Sequence, residues 1–378
     1  MSSFLPEFAF SQAAVRVRFA PGVRHDTGAE VERLGCRRAI IISTPGQVAM
    51  AHDLRTDMGE FAAGVLPLAQ MHTPVPVTQE AMLQVGQMDG DCLVAIGGGS
   101  TIGLAKALSL RTGLPQIVLP TTYAGSEATP VLGQTEDGVK TTLTDARIQP
   151  QVILYDAELI RSLPVSTTVA SALNAMAHAA EGLYARDRNP ISTLLATEGL
   201  RAFRRALPDV CRNPRDLTAR GETLYGAWLC GTVLGQVGMA LHHKLCHVLG
   251  GSFGLPHAET HAVMLRYTIA FNATATGALL DPIREIFDDG DIGHALAIFA
   301  DGVGAPRALR DLGMREADLA GAADLAMSSA YWNPRPLIRG EILGLLRSAW
   351  AGRTVAKAAR AERQSQGQMA AVVRRRHR

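Results

Sequence analysis

The sequence predicts a parallel, Rossmann-like α/β domain at the N-terminus, followed by an all-α domain. Three observations carry this. Short apolar runs rich in β-branched residues recur through the first 155 residues, helix-like segments separate most of them, and strand-like runs stop after about residue 160. Runs that stay apolar, instead of alternating with polar residues, mark strands buried on both faces. Alternation with helices makes such a sheet parallel and doubly wound.

In chain order, the expected strands are Ala39–Ile42, Val65–Leu68, Leu93–Ile96, Gln116–Leu119 and Val152–Tyr155. Helices are expected over Gly46–Glu60, Thr78–Gln87 and Thr101–Leu110. Farther on, Ala/Leu-rich stretches predict helices over Ser166–Ala185, Pro190–Ala206, Leu217–Val248 and His261–Asn272. Pro164 ahead of Ser166 and Thr167 is a helix-start signature, and Asn189–Pro190 and Asn213–Pro214 punctuate the helices. The boundaries read 1–160 for the α/β domain, 161–350 for the helical domain and 351–378 for a basic, disordered tail.

Length and charge narrow the function classes. The 378 residues accommodate two domains at ~100–200 residues each. Basic residues number 37 against 35 acidic, and only four of the 37 are lysines: Lys106, Lys140, Lys244 and Lys357. The last 28 residues carry eight basic side chains and one Glu, so residues 1–350 hold 29 basic and 34 acidic groups, a net of −5. A nucleic-acid binder needs a basic stripe on its folded part, which this body lacks. The 47% hydrophobic content excludes disorder, and no apolar run reaches the ~18–20 residues of a membrane span. The opening MSSFLPEFAF has no basic segment ahead of an apolar one, so the protein is expected in the cytoplasm. Five widely spaced cysteines form neither a disulfide framework nor a CxxC metal pair.

Two turns suit a phosphate-bearing ligand. Gly97-Gly98-Gly99-Ser100-Thr101 follows a strand and opens the helix that contains Lys106. Glycines allow close backbone approach, and a helix N-terminus offers free N–H groups and a positive dipole end. Ile102 breaks the GxGxxG spacing and no GKS/T follows, so this is a phosphate cradle of another kind. Pro120–Glu127 again follows a strand, and Thr121, Thr122 and Ser126 offer hydroxyls to a ribose, amide or pyrophosphate.

The histidines are concentrated. Five of eleven fall within 20 residues: His242, His243, His247, His257 and His261. His243 and His247 share a helix face at i, i+4, as do Asn174 and His178 upstream. Such a cluster beside a Gly/Pro bend suits a transition-metal site or an acid–base cluster. A metal site wants a carboxylate where this chain has Asn174, so the spacing fits a metal better than the residue types do.

Taken together, these segments resemble the iron-dependent alcohol dehydrogenase superfamily. Its pattern is a GGGS loop followed by an Ala-Lys pair, a Pro-Thr-Thr segment ending in Gly-Ser-Glu, an Asp-x-x-x-His helix, and spaced histidines with Pro before the last. Here these are Gly97–Ser100 with Ala105-Lys106, Pro120–Glu127, Asn174 and His178, and His243, His247 and His257, in order over roughly residues 10–350. The resemblance implies a dinucleotide-binding domain followed by a helical domain, the fold shared with dehydroquinate synthase. Asn174 replaces the family's first metal carboxylate, which leaves His178, His243 and His257 of the four ligand positions. Gly103 stands where the loop usually carries Asp, and the Pro-Thr-Thr segment is one residue short.

The histidine segments and Trp332–Pro336 are most similar to one branch, the maleylacetate reductases. That resemblance implies NADH- or NADPH-dependent reduction of the C=C bond of 2-maleylacetate, a small dicarboxylate, to 3-oxoadipate during aromatic-compound degradation. It further implies no metal and a homodimer, with no nucleic acid or membrane as partner. Thr44, in Ser43-Thr44-Pro45, neither recognises a ribose 2′-hydroxyl as an acid would nor repels a 2′-phosphate, so both cofactors are expected. His243 is expected to polarise the keto oxygen, with His247 or His178 delivering a proton and His257 shaping the site. Lys244 and Arg335 are candidates for the substrate carboxylates, Asn174 for substrate contact and Lys140 for the cofactor. The rival readings are a metal-dependent alcohol or glycerol dehydrogenase, a dehydroquinate-synthase-like lyase and a non-catalytic binding module.

Overall fold

Runs such as Ala-Ile-Ile-Ile at 39–42 and Cys-Leu-Val-Ala-Ile-Gly at 92–97 are too apolar for an edge and lie inside a sheet. In the computed structural model, which describes residues 7–136 and 139–354, the strands are β1 (Arg16–Phe19), β2 (Ala39–Ile42), β3 (Ala62–Leu66), β4 (Cys92–Gly97), β5 (Gln116–Pro120), β6 (Val131–Glu136), β7 (Val139–Thr144) and β8 (Val152–Tyr155). Six of them form one parallel sheet in the order β1–β8–β5–β4–β2–β3, while β6 and β7 pair as an antiparallel hairpin. Helices α1 (Thr27–Arg33), α2 (Val48–Met58), α3 (Val75–Met88) and α4 (Gly99–Thr112) connect them. The pleat sends alternate residues to opposite faces. Ile41, Val94, Ile96, Ile117 and Leu154 meet α1 and α2 residues on one side, and Ile40, Ile42, Leu93, Ala95 and Val118 meet α3 and α4 on the other.

After β8 come α5 (Val165–Gly182), α6 (Pro190–Arg212) and α7 (Leu217–Gln236). The change from strands to helices falls between Tyr155 and Val165, but the chain divides into compact units farther on, as Met1–Gly238 and Met239–Arg378. The physical ties lie in α7. Its fully buried Arg220 donates to Leu163 O (2.7 Å), Thr168 Oγ1 (2.8 Å), Pro214 O (2.9 Å) and the Tyr123 hydroxyl (3.3 Å). Gly231 of α7 also packs directly on Gly125, whose φ of +77° only glycine adopts freely; a Cβ on Gly231 would meet the Gly125 carbonyl oxygen.

The second unit holds α8 (Leu241–Phe253), α9 (His257–Thr276), α10 (Asp281–Phe287), α11 (Ile292–Gly302), α12 (Leu319–Met327) and α13 (Arg339–Ala351). Leu245, Leu249, Val263, Met264, Leu319, Ala323, Ile342 and Leu346 build its core.

Four local departures from the sequence-based elements have local causes. β1 was not among the expected strands: Arg-Val-Arg-Phe is an edge strand, and Arg16 and Arg18 turn their charges to the buried Glu30. The β6–β7 hairpin is polar and escapes an apolar-run criterion. The expected 217–248 helix is two helices, because the chain turns at Val237–Ala240, where the Gly238 N–H donates to the Asp187 carboxylate (2.9 and 3.2 Å). The strand expected at 65–68 sits at Ala62–Leu66, the register in which Gly64 and Val65 pair with Ile40 and Ile41. Most of the expected tail, 355–378, lies outside the described residues.

Gly231→Ala should destabilise the first unit by about 1–3 kcal/mol through overpacking, measured as a lower denaturant midpoint. An unchanged midpoint would show that the helix and the 121–126 loop separate without cost.

Candidate functional site

In the first unit the strand order reverses at β2, whose neighbours are β3 on one side and β4 on the other. Open α/β sheets bind ligands beyond the strand carboxyl ends at such a reversal. Ser43 and Thr44 follow β2, Gly97–Ser100 joins β4 to α4, and Thr121 and Thr122 follow β5. Side chains stitch these ends together. Gln47 Nε2 donates to Thr121 Oγ1 (2.9 Å), Thr44 Oγ1 to Gln47 Oε1 (3.2 Å), and the Thr121 N–H to Gly97 O (2.9 Å).

The glycines are required by crowding. A Cβ on Gly97 would meet Thr101 Oγ1, and one on Gly98 would lie 2.8 Å from Thr122 Cγ2. The first turn of the 14-residue α4 has no side-chain cap, so its N–H groups remain to meet an anion. The Ser43 and Ser126 hydroxyl oxygens are buried without a hydrogen-bond partner. A glycine-lined helix N-terminus with unpartnered hydroxyls fits the pyrophosphate and ribose of a dinucleotide. Gly103 has its own explanation, since Thr73 Oγ1 occupies the place of a Cβ there.

Lys106 does not reach the ligand side. It is fully buried and its ammonium donates to Ser126 O (2.6 Å), Thr129 O (2.7 Å), Val131 O (2.9 Å) and Thr129 Oγ1 (3.0 Å). Burial pulls the ammonium down to about 7, while nearby Glu127 acts the other way. Burial also raises the Glu127 carboxyl, which accepts from the Tyr155 hydroxyl at 2.8 Å. Lys140 lies on β7 opposite Thr135, a strand position where a loop was expected.

Asn174 and His178 sit one turn apart on α5, both buried. Asn174 Oδ1 has no hydrogen-bond partner, a costly state for a buried amide unless something binds there.

The second unit gathers the five clustered histidines onto α8 and the start of α9. Ring centroids are 6.2 Å apart for His243–His247, 5.1 Å for His243–His261, 6.4 Å for His247–His257 and 4.5 Å for His257–His261. His247 is exposed, His257 half-buried and His243 buried, so the set runs from solvent inward. His242 and His261, fully buried, received no role from the sequence, although the 257/261 spacing of four places both rings on one face of α9. Lys244 donates to Ser329 Oγ (2.8 Å) and lies over the Tyr331 ring. Arg335 is more committed: it pairs with Glu341 (2.7 Å), donates to Phe271 O (3.1 Å) and stacks on the Phe271 ring.

Known proteins match this arrangement over nearly the whole chain. A family profile described as iron-containing alcohol dehydrogenase matches residues 14–157, and one described as Fe-containing alcohol dehydrogenase family, C-terminal, matches 168–350. Maleylacetate reductase from Rhizobium sp. (strain MTP-10005) is 53% identical over 345 residues, 91% of this chain and 98% of that protein. The crystal structure of maleylacetate reductase from Agrobacterium tumefaciens has a TM-score of 0.90 and 52% identity, covering 93% of this chain and all of that one. An iron-containing alcohol dehydrogenase from Corynebacterium glutamicum has a TM-score of 0.87 at 38% identity, covering 91% of this chain and 97% of that one.

Lys106→Met should lower stability by about 3–5 kcal/mol, because three carbonyls and Glu127 lose their buried cation. Chemical denaturation measures it. A loss below ~1 kcal/mol would mean that water takes over the ammonium's place.

Proposed function

The chain belongs to the iron-containing alcohol dehydrogenase family, and within it we propose that the protein reduces the C=C bond of 2-maleylacetate to 3-oxoadipate with NADH or NADPH. The observation that carries this reading is a neutral, unpartnered amide, Asn174, one helical turn from the buried His178 on α5, at the position of the family's first metal carboxylate. Similarity to maleylacetate reductases along almost the whole chain supports it. The same reading makes the protein a cytoplasmic homodimer acting late in aromatic-compound degradation.

Asn174 beside His178 on α5 does not fit a divalent ion, since an amide oxygen brings no charge and is a weak ligand next to an imidazole. The one metal-compatible group of side chains among the described residues, His242, Cys246 and His261, does not fit either. Two of its nitrogens are only 2.9 Å apart, a hydrogen bond rather than two ligands on one ion.

Gly97–Ser100, Ser43, Thr44, Thr121, Thr122 and Ser126 would hold the nicotinamide cofactor, with Lys140 of β7 as a further candidate, and the cofactor would supply hydride. The rest falls to the chain's side chains. Hydride addition to the alkene of an enone sends negative charge to the keto oxygen, and His243 meets it as a hydrogen-bond donor. His247, at the solvent side, or His178 then protonates the carbanionic carbon, and His257 holds the shape of the pocket. General acid catalysis of this kind contributes ~10²–10⁴-fold. Asn174 offers its amide to the substrate. Lys244 keeps donors beyond the one given to Ser329 and is the better carboxylate ligand, because Arg335 is held by Glu341 and Phe271.

Nicotinamide absorbance followed with maleylacetate should show turnover that chelators leave unchanged, whereas simple alcohols and aldehydes should give none. Chelator-sensitive alcohol oxidation would favour the metal-dependent dehydrogenase instead. His243→Ala should cut kcat by ~100-fold or more, and near-normal turnover would remove that ring from its role. Lys244→Met should raise KM about tenfold with little change in kcat, the signature of uniform substrate binding. The kcat/KM values for NADH and NADPH should lie within ~100-fold of each other, since Thr44 recognises neither a 2′-hydroxyl nor a 2′-phosphate as a charged side chain would.

A further inference from the structure

We propose that Thr268 and His242 form a one-way hydrogen-bond relay that holds His261 in a single tautomer, Nδ1–H, and so positions the imidazole cluster for proton transfer. This rests on the reading of that cluster as the proton-handling part of the active site.

Thr268 fixes the direction. Its Oγ1 lies 2.9 Å from Met264 O and 3.3 Å from Leu265 O on its own helix. A carbonyl only accepts, and a hydroxyl has one hydrogen, so that hydrogen points at Met264. Only lone pairs are left for His242 Nδ1, 2.8 Å away, so Nδ1 must carry a hydrogen. His242, His261 and Thr268 are all fully buried, and in the relay both rings carry a single hydrogen. A neutral His242 with hydrogen on Nδ1 has a lone pair on Nε2. His261 Nδ1, 2.9 Å from that atom, therefore donates to it. The lone pair of a neutral His261 is left on Nε2, and its ring meets His257 and His243 edge-on at 4.5 and 5.1 Å.

Both rings are thus held in the tautomer that free histidine in water disfavours, which makes the relay visible. The geometry also separates it from a metal site. Two imidazole nitrogens on a tetrahedral zinc with bonds of ~2.0–2.1 Å stand about 3.3 Å apart. Here they are at 2.9 Å, and Cys246 Sγ lies 3.7 Å from the same His242 nitrogen. His242 and Thr268 are positioning residues, acting through His261.

The test uses the full chain labelled with ¹⁵N-histidine. Two-bond ¹⁵N–¹H spectra of the unmodified protein should show His242 and His261 as neutral Nδ1–H rings. Thr268→Val, which removes the acceptor and keeps the shape, should move both to the Nε2–H pattern. It should also lower kcat with maleylacetate about tenfold or more, with KM changed less than about twofold, and Thr268→Ser should restore both readouts. Nε2–H signals in the unmodified protein, unchanged kcat in Thr268→Val, or stoichiometric zinc binding that abolishes the ring signals would each overturn the relay. The spectra of the unmodified protein need no variant to fold and no substrate. Nδ1–H rings in a protein that does not reduce maleylacetate would keep the relay and remove the proposed function.

Discussion

The ammonium of Lys106 is the interaction on which the first unit's binding edge depends. Its side chain leaves α4, the helix that begins with the glycine turn, and ends among Ser126 O, Thr129 O, Thr129 Oγ1 and Val131 O. A cation taken out of water is costly unless oxygen acceptors replace its hydration, and here four of them lie within 3.0 Å. The helix carrying the phosphate-suited turn and the loop carrying Thr121, Thr122 and Ser126 are thereby joined beneath the surface. Glu127 and Tyr155 lie against the same knot, with Phe19 stacked on Tyr155 at 4.3 Å. The strand-end residues above it gain their positions from this buried charge without spending their own hydrogen-bonding capacity, and the Ser43 and Ser126 hydroxyls stay unpartnered.

The second unit solves a different problem. A carboxylate beside several imidazoles would raise their affinity for protons and for divalent cations alike. The buried His242 meets the Thr268 hydroxyl, which itself donates to the Met264 carbonyl, and the His261 imidazole, so uncharged groups orient this ring. The described clasp of Asn333 with Asn272, through two amide hydrogen bonds of 2.8 and 2.9 Å, fixes the Trp332–Pro336 segment in the same economical way.

Charge is placed locally rather than spread over the surface. Residues 1–350 carry a net of −5, so a dianionic substrate gains nothing from the overall field of the body. Recognition falls to individual cations, and the structure ranks them by what already holds them. Arg335 is locked between Glu341 and Phe271, Lys106 is buried under the 121–126 loop, and Lys244 gives one hydrogen bond, to Ser329, beside the Tyr331 ring.

Much of this was legible in the residues. Unbroken apolar runs marked β2, β4, β5 and β8, because a strand covered on both faces can use little else. Spacing placed Asn174 with His178 and His243 with His247, because helical periodicity is local. Strands β1, β6 and β7 were not legible, since an edge strand and a polar hairpin owe their existence to pairing partners distant in sequence. The same limit applied to the roles of side chains. Sequence marked Lys106 and Arg335 as cations near functional segments, but only the tertiary structure showed that both are already held by oxygen acceptors. It likewise turned His242 and His261 from unassigned neighbours into a hydrogen-bonded pair. Sequence by itself determined which residue types stand at which helical and strand positions. Tertiary packing decided which polar atoms are satisfied and which remain to act, because hydrogen-bond partners are chosen in three dimensions.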